Sequence, residues 1–381
     1  MLYNEHGLFL DSFETVERKI LGKAMYLPYT ALRMKRLALF LFLPIAAICQ
    51  DMKHDILSPR VRDAATHPPR KVLVATVNYH FHGDLDNRLA TAVKIIGDAA
   101  KRAEEKHSGK RLDLVVLPEN ALQRVNDGTA SERSLPLDHE AVAAIAEKAR
   151  AHDTYVALGM ILREGEENFN ATVLFDRKGE VAGVYRKVHT VIDWEEKNPT
   201  ITEGGMTPGK DFPVFECDFG RLGILICFDM AYPDGWTTLG ERGAEIVVVP
   251  TASPQTLRPA MFAHLNSYYV VTSAWRDNAS IFDPLGQLAA QVTHPGLLLH
   301  ELDLSYAKLL WSPSLEDGQT FTKKYGDRVG FRYSSREDSG LFWSNDPKLP
   351  IGEMVNELGL RDRDASVELN RKVGASLRKK P

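Results

Sequence analysis

Arg221-Leu-Gly-Ile-Leu-Ile-Cys227-Phe-Asp229-Met-Ala-Tyr-Pro233-Asp234 carries two structural signals in one short run. A brief, unbroken apolar stretch suits a strand buried on both faces, and Pro233 has the fixed φ and missing N–H that fit a first helical turn. Residues 221–228 are therefore predicted as a strand, with Cys227 at its end, near a strand-to-helix turn.

The same alternation extends outward on both sides. Lys71 to Tyr79 is predicted as a buried strand, and Leu89, Val93, Ile96, Ala100 and Ala103 follow it at helical spacing. Leu112 to Glu119 is a second strand, Leu137 to His152 a helix and Thr154 to Leu162 extended. Ala171 to Lys187 is a hairpin turning at Arg177-Lys178-Gly179. Further strands are predicted at 244–251, 268–275, 279–283 and 296–304. Runs of Val, Leu and Ile alternating with amphipathic helices imply an α/β layered architecture in which helices cover sheets.

Around this region the chain changes character. Residues 51–70 are polar and proline-containing without an apolar period, so they are predicted as a linker; the folded domain is expected over 71–311. Residues 312–381 carry charge and scattered aromatics and are expected to form a C-terminal extension, an extended tail lying on the surface or wrapping a neighbour. Residues 1–50 contain a targeting pattern: Met34, Lys35 and Arg36, an apolar Leu37 to Ile48, then Cys49. That stretch is too short for an ordinary membrane span. Read from Met34 it is a secretory signal, which predicts export, with residues 1–33 an over-extended start. Cys49 suggests a lipid anchor, although Ile48 is bulky for that. A short buried helix in a cytoplasmic protein is the alternative.

Composition narrows the chemistry. A net charge of −4 and a pI near 6.3 provide no basic excess for phosphate backbones, which argues against nucleic acid as a partner. The three cysteines, Cys49, Cys217 and Cys227, are too few for a disulfide framework and lack CxxC spacing.

Four segments place reactive side chains at or just after predicted strand ends, where α/β sheets present their sites. Glu119 emerges behind Pro118 from an apolar strand, where partial desolvation would make it a usable proton acceptor. Lys187, in Tyr185-Arg-Lys187-Val-His189, could meet a developing oxyanion. Cys227 could be activated by backbone N–H groups and a basic partner. Glu203 lies in a glycine-rich loop that runs on to Thr207-Pro208-Gly209. Singly, each has an ordinary reading as an exposed carboxylate, an exposed lysine or a buried core cysteine. Cys217, flanked by charge, is assigned no role. His80-Phe-His82 could supply half a metal site but lacks a third ligand.

Together, and in this order, these segments resemble the nitrilase, or carbon-nitrogen hydrolase, superfamily. Leu117-Pro-Glu119-Asn matches its Pro-Glu block, and Tyr185-Arg-Lys187-Val-His189 its Tyr-x-Lys-x-His block. Gly223 to Asp234 matches its cysteine block, and Ser280-Ile-Phe-Asp-Pro-Leu-Gly286 its Asp-Pro-x-Gly turn. The similarity covers about residues 71–310. Asp234 stands where the cysteine block usually has Glu, and Leu265 where many members carry Glu.

The resemblance implies a four-layer α-β-β-α sandwich and a triad of Glu119, Lys187 and Cys227. In that scheme Glu119 shuttles protons, Cys227 attacks an amide or nitrile, and Lys187 with the Phe228 N–H holds the oxyanion. The second family glutamate maps to Glu203 through Thr-Pro-Gly, whereas spacing from the lysine would favour Glu195 or Glu196. The resemblance implies a small-molecule substrate, homo-oligomers, and neither metal nor organic cofactor. An acyltransferase that resolves the thioester with an amine or alcohol is the nearest rival, and a non-catalytic binding protein on the same fold is the other.

Overall fold

Strand β1 (Lys71–Asn78) shows how the layers are built, because its side chains divide between two cores. Val72 and Val74 enter one apolar cluster while Leu73 and Ala75 enter the other. The same division recurs in β2 (Leu114–Val116), where Leu114 and Val116 oppose Val115, and in β3 (Tyr155–Glu164), where Tyr155 and Ala157 oppose Val156 and Leu158. Period-two alternation with apolar residues on both faces is what a strand covered on both sides requires.

The computed structural model describes residues 68–107, 110–123, 128–192 and 202–378, which all fall in one compact unit, Leu57–Pro381. The predicted targeting segment, nearly all of the linker, and Glu195 and Glu196 lie outside the described residues. Among those described, no helix is long and apolar enough to cross a membrane.

The second half of the sheet comprises β6 (Val214–Cys217), β7 (Gly220–Ile224), β8 (Ile246–Thr251) and β9 (Tyr269–Ala274). The hairpin appears as antiparallel β4 (Glu167–Phe175) and β5 (Val181–Arg186). The order is β5-β4-β3-β2-β1-β9-β8-β7-β6, with β1 parallel to β2 and β9 at the centre. Strands β10 (Ala279–Phe282) and β11 (Leu288–Val292) extend from β9, and β12 (Gly296–Asp303) lies antiparallel along β1. The outer strands meet. A Cβ on Gly183 of β5 would come within 2.2 Å of the Phe215 ring of β6, so glycine permits the approach that nearly closes the sheet.

One core is therefore enclosed between the two halves of the sheet. Helices α1 (Leu85–Lys106) and α3 (Glu140–Ala151) cover one outer face, with the short α2 (Ala130–Arg133) between them in the chain. Helices α4 (Pro233–Glu241) and α5 (Leu257–Asn266) cover the other, where Trp236 stacks on Phe262 with centroids 5.1 Å apart. This is the α-β-β-α arrangement. Two predicted strands end early, β2 at Val116 and β7 at Ile224, because the chain must leave the sheet to form the turns after them. Strands β6 and β11 escaped prediction because they are short and mostly half-exposed.

The expected extended tail is overturned. Strands β13 (Tyr306–Leu310), β14 (Val329–Ser334) and β15 (Ser339–Ser344) form a separate antiparallel sheet, packed with α6 (Gln319–Tyr325) and α7 (Ile351–Glu357). Phe321, Tyr325, Phe342, Ile351, Met354 and Val355 share its core, and α8 (Arg363–Arg378) follows. These apolar residues lie far apart in sequence, so no run announced them. The unit is also fastened to the end of α5 and to the turn after β10: Tyr306 Oη donates to the Ser267 carbonyl at 2.5 Å, Lys308 Nζ to the His264 carbonyl at 2.7 Å, and Arg332 pairs with Asp283 at 2.9 Å. Phe321→Ala removes a ring stacked 4.6 Å from Phe342 and is expected to lower stability by about 3–5 kcal/mol, measured by urea unfolding. An unstructured tail would leave the midpoint unmoved.

Candidate active site

Past Ile224 the chain leaves the sheet, and Cys227 opens a short 3₁₀ helix, Cys227–Ala231, with φ of 45°. Positive φ is costly for a residue bearing a Cβ, and two other positions of this site share it, Asn120 at 49° and Glu203 at 48°. Such strain costs about 1–3 kcal/mol per residue and persists only where the surroundings impose the conformation.

Asp229 does much of that imposing here. Fully buried, its carboxylate accepts from Tyr185 Oη at 2.7 Å, from Ile226 N at 2.9 Å and from His189 N at 2.8 Å. The cysteine turn is thereby fixed to the end of β5. Asp229 Oδ1 also lies 3.1 Å from His189 Nδ1, while Asp234 in the first turn of α4 lies 3.2 Å from His189 Nε2. The His189 ring stacks 3.9 Å from that of Tyr232. Phe228 sits in the first turn of the 3₁₀ helix, where backbone donors have no carbonyl of their own helix to meet.

Lys187 follows β5 directly and is buried, its side chain 1% exposed. Its ammonium stands 2.5 Å from Glu203 Oε1 and 3.2 Å from Glu119 Oε1. Asn170 on β4 bridges the same carboxylates, donating through Nδ2 to Glu119 at 2.8 Å and to Glu203 at 2.9 Å. The other oxygen of Glu119 accepts from Ala252 N, just beyond β8, at 2.9 Å. Glu203 is held further by Val191 N at 3.0 Å.

The electrostatics follow from this packing. Burial disfavours the Lys187 charge, but the charges of Glu119 and Glu203, with Cys227 beside them, hold its pKa above the usual lysine value, so it is an ammonium throughout the physiological range. Burial and the neighbouring Glu119 push the Cys227 thiol up to about 12, against the opposing pull of Lys187, Thr251 and the Ala252 N–H. A resting thiolate is not what this site stores. The thiol is neutral, and a base must remove its proton during reaction.

Glu119, Lys187, Glu203 and the half-buried Cys227 are thus brought together, with Phe228 next to the cysteine. Cys217 lies at the end of β6, its thiol pushed up to about 12 chiefly by burial. His80 and His82 are neighbours, but no group of three potential metal ligands occurs among the described residues. Leu265 is 57% exposed on α5. Sequence reasoning gave no role to Asn170, Asp229, Ala252 or Trp275. Asn168 and Asn170 interrupt an apolar strand with amides on one face, a signal that could have been read; a backbone N–H such as that of Ala252 leaves none.

The His189 contacts carry a pH dependence. Its hydrogen bond to Asp229 and the charges of Asp229 and Asp234 raise its pKa above the ordinary 6.5, against desolvation. A raised folded-state pKa stabilises fully below the unfolded value of about 6.5, and the gain is lost as pH rises through the higher folded value. His189→Gln should therefore cost roughly 0.5–1 kcal/mol more at pH 6 than at pH 9, measured by urea unfolding at both. An equal cost at both would refute this ionic contribution.

The sequence pattern that defines carbon-nitrogen hydrolases matches residues 73–310, and this chain belongs to that family, whose members hydrolyse carbon-nitrogen bonds other than peptide bonds. It is 24% identical to an omega-amidase of Danio rerio over 62% of this chain and 90% of the relative. It is 34% identical to a hydrolase of Pseudomonas protegens over 37% of this chain and 48% of the relative, and so spans about half the length of that protein. A deaminated glutathione amidase of Yersinia enterocolitica is 30% identical over 39% of this chain and 54% of its own. Among solved structures, a carbon-nitrogen hydrolase from Helicobacter pylori superposes with a TM-score of 0.53 at 19% identity, covering 61% of this chain and 90% of the other. A nitrilase-superfamily member from Saccharomyces cerevisiae gives 0.52 at 18% identity, with coverage of 61% and 90%. These likenesses carry the fold.

Proposed function

We propose that this protein is a thiol hydrolase that cleaves the C–N bond of a small-molecule amide through a cysteine thioester. The observation that carries the reading is a buried ammonium clamped between two carboxylates beside a neutral, strained cysteine. Amides are preferred to nitriles because two of the relatives above are named amidases.

Glu119 removes the thiol proton as Cys227 Sγ attacks the carbonyl carbon, and the carbonyl π electrons move onto oxygen. Lys187 and the Phe228 N–H meet that negative charge. The tetrahedral adduct collapses, the C–N bond breaks, and the nitrogen departs as ammonia or amine with the proton that Glu119 returns. Water, deprotonated by Glu119, then attacks the thioester, releasing the carboxylic acid and re-forming the thiol. Glu203 and Asn170 keep the ammonium and Glu119 aligned throughout.

The test is ammonia release by the purified chain across a panel of amides, nitriles and carbamoyl compounds, paired with brief haloacetamide labelling and peptide mapping. Amides should release ammonia and acid in equal amounts, and Cys227 should be labelled well before Cys217. Passage of the acyl group to an added amine in place of water would establish the acyltransferase reading. Prior labelling of Cys217 would overturn the assignment of the nucleophile.

A further inference from the structure

The two groups assigned to the oxyanion come from separate segments of the chain. Lys187 follows β5, and the Phe228 N–H belongs to the turn after β7. The base has anchors of its own, since Trp275 Nε1 donates to the Glu119 carbonyl at 2.6 Å and Ala252 N to the Glu119 side chain at 2.9 Å. His189, two residues beyond Lys187, reaches from one oxyanion segment to the other. Its ring lies 3.1 Å through Nδ1 from Asp229 Oδ1 and 3.2 Å through Nε2 from Asp234 Oδ2. It stacks on Tyr232 with centroids 3.9 Å apart and planes at 9°, and the Phe212 ring lies 5.8 Å away at 28°. Tyr232 in turn meets the Phe228 ring edge-on with 5.5 Å between centroids, and its N–H donates to the Asp229 carbonyl at 3.1 Å, closing the turn. One file of contacts thus runs from the lysine segment through the imidazole to the residue that carries the second oxyanion donor.

A neutral imidazole has a single N–H, so it can donate to only one of these carboxylates, and its other nitrogen then turns a lone pair toward a negative oxygen. Both contacts together require the imidazolium. The two carboxylates are unequal partners. Asp229 is fully buried and accepts from Tyr185 Oη, Ile226 N and His189 N, which fix it independently of the ring. Asp234 has a side chain 54% exposed and, among the described residues, no other hydrogen bond or ion pair. Loss of the ring proton therefore releases Asp234, and with it the grip of the ring on the first turn of α4. The hydrogen bond to Asp229 and the charges of Asp229 and Asp234 favour the imidazolium, against desolvation, so the proton is held to a pH above the ordinary 6.5.

We propose that His189 is a positioning residue: as an imidazolium bridging Asp229 and Asp234 it holds the Lys187 ammonium and the Phe228 N–H at the spacing the oxyanion needs, and amide turnover falls when its proton leaves. The inference rests on the hydrolytic reading for the word turnover, but the clamp can be tested without it. The oxyanion exists only during reaction, so a slackened clamp lowers kcat and leaves KM near its value. The cysteine and the lysine do not lose their protons just above neutrality, since the Cys227 thiol is pushed up to about 12 and the charges of Glu119 and Glu203 hold Lys187 above the usual lysine value.

The experiment follows kcat and KM of the full chain, on the amide it hydrolyses fastest, from about pH 6 to about pH 10. The parent kcat should fall by about 10-fold or more along a one-proton limb, less than the outright loss of an oxyanion donor costs, while KM changes by less than about 2-fold. The midpoint of that limb should lie above 6.5. His189→Gln keeps one donor and no titrating proton, so its kcat should start about 10-fold below the parent at the acid end and stay level. Asp234→Asn removes one of the two charges that hold the proton and should move the limb to lower pH, whereas Asp234→Glu keeps the charge and should leave the limb near its parent position. A limb at the parent midpoint in His189→Gln, an unmoved limb in Asp234→Asn, or a parent kcat level across the range would overturn the role. Nitrogen-15 labelling of histidine and phenylalanine puts the same question without turnover: the Phe228 amide signal should titrate with the His189 ring and cease to do so in His189→Gln. A Phe228 signal that follows the ring in a chain that hydrolyses no amide would sink the hydrolytic reading and leave the clamp standing, and one that ignores the ring would sink the clamp.

Discussion

Cys227→Ala should abolish amide turnover, with kcat falling by about 10⁴-fold or more, because no other group in the site can form the acyl intermediate. Glu119→Gln should come close to the same loss. The thiol is held neutral by burial and by Glu119 itself, so without a base the nucleophile is seldom formed. The two variants separate by their side effects. A glutamine in place of Glu119 keeps the shape of the side chain and an oxygen that can accept from Ala252 N, so Glu119→Gln should fold normally and retain Cys227, while Cys227→Ala loses the alkylation target. Steady-state kinetics with urea midpoints for both proteins check this. Turnover that survives either change at more than about a hundredth of the parent rate would remove that residue from the chemistry.

Glu203→Gln is the second large effect expected. Its carboxylate lies 2.5 Å from the Lys187 ammonium and also receives Asn170 and Val191 N. The amide preserves the volume but removes the charge that holds the ammonium toward the oxyanion. Loss of one contributor to a closed electrostatic site typically costs about 10²–10³-fold in kcat. Glu195→Gln and Glu196→Gln should change kcat by less than about 2-fold, the result for carboxylates that do not take part. Kinetics on the three purified variants decide the matter. A large loss at Glu195 or Glu196, with none at Glu203, would mean that spacing from the lysine was the better guide.

The case of Glu203 shows where sequence reading stopped. Chain order and residue type were enough to nominate Glu119, Lys187 and Cys227, because each lies at or just beyond the end of an apolar strand and the topology of a layered sheet brings such ends to one edge. Glu203 sits in a loop, where no period exists, and spacing along the chain supported either of two anchors. Its contact with Lys187 was decided by the path of residues 202–206 back across β4, seen in Thr207 N donating to the Asn168 carbonyl.

The sequence by itself determined the alternation of buried strands and covering helices, since hydrophobic period is a local property, and it determined the order of the reactive residues. Only the tertiary structure decided three other things. It decided that residues 306–357 fold into a second sheet with a core of their own, because Phe321, Phe342 and Met354 find one another across long intervals of polar chain. It decided that the cysteine rests as a neutral thiol, because burial and the approach of Glu119 are set by packing between separate strands. And it decided that Asp229 and Asn170 fasten the site, because a polar side chain on a buried face gains its meaning only from the partner that satisfies it.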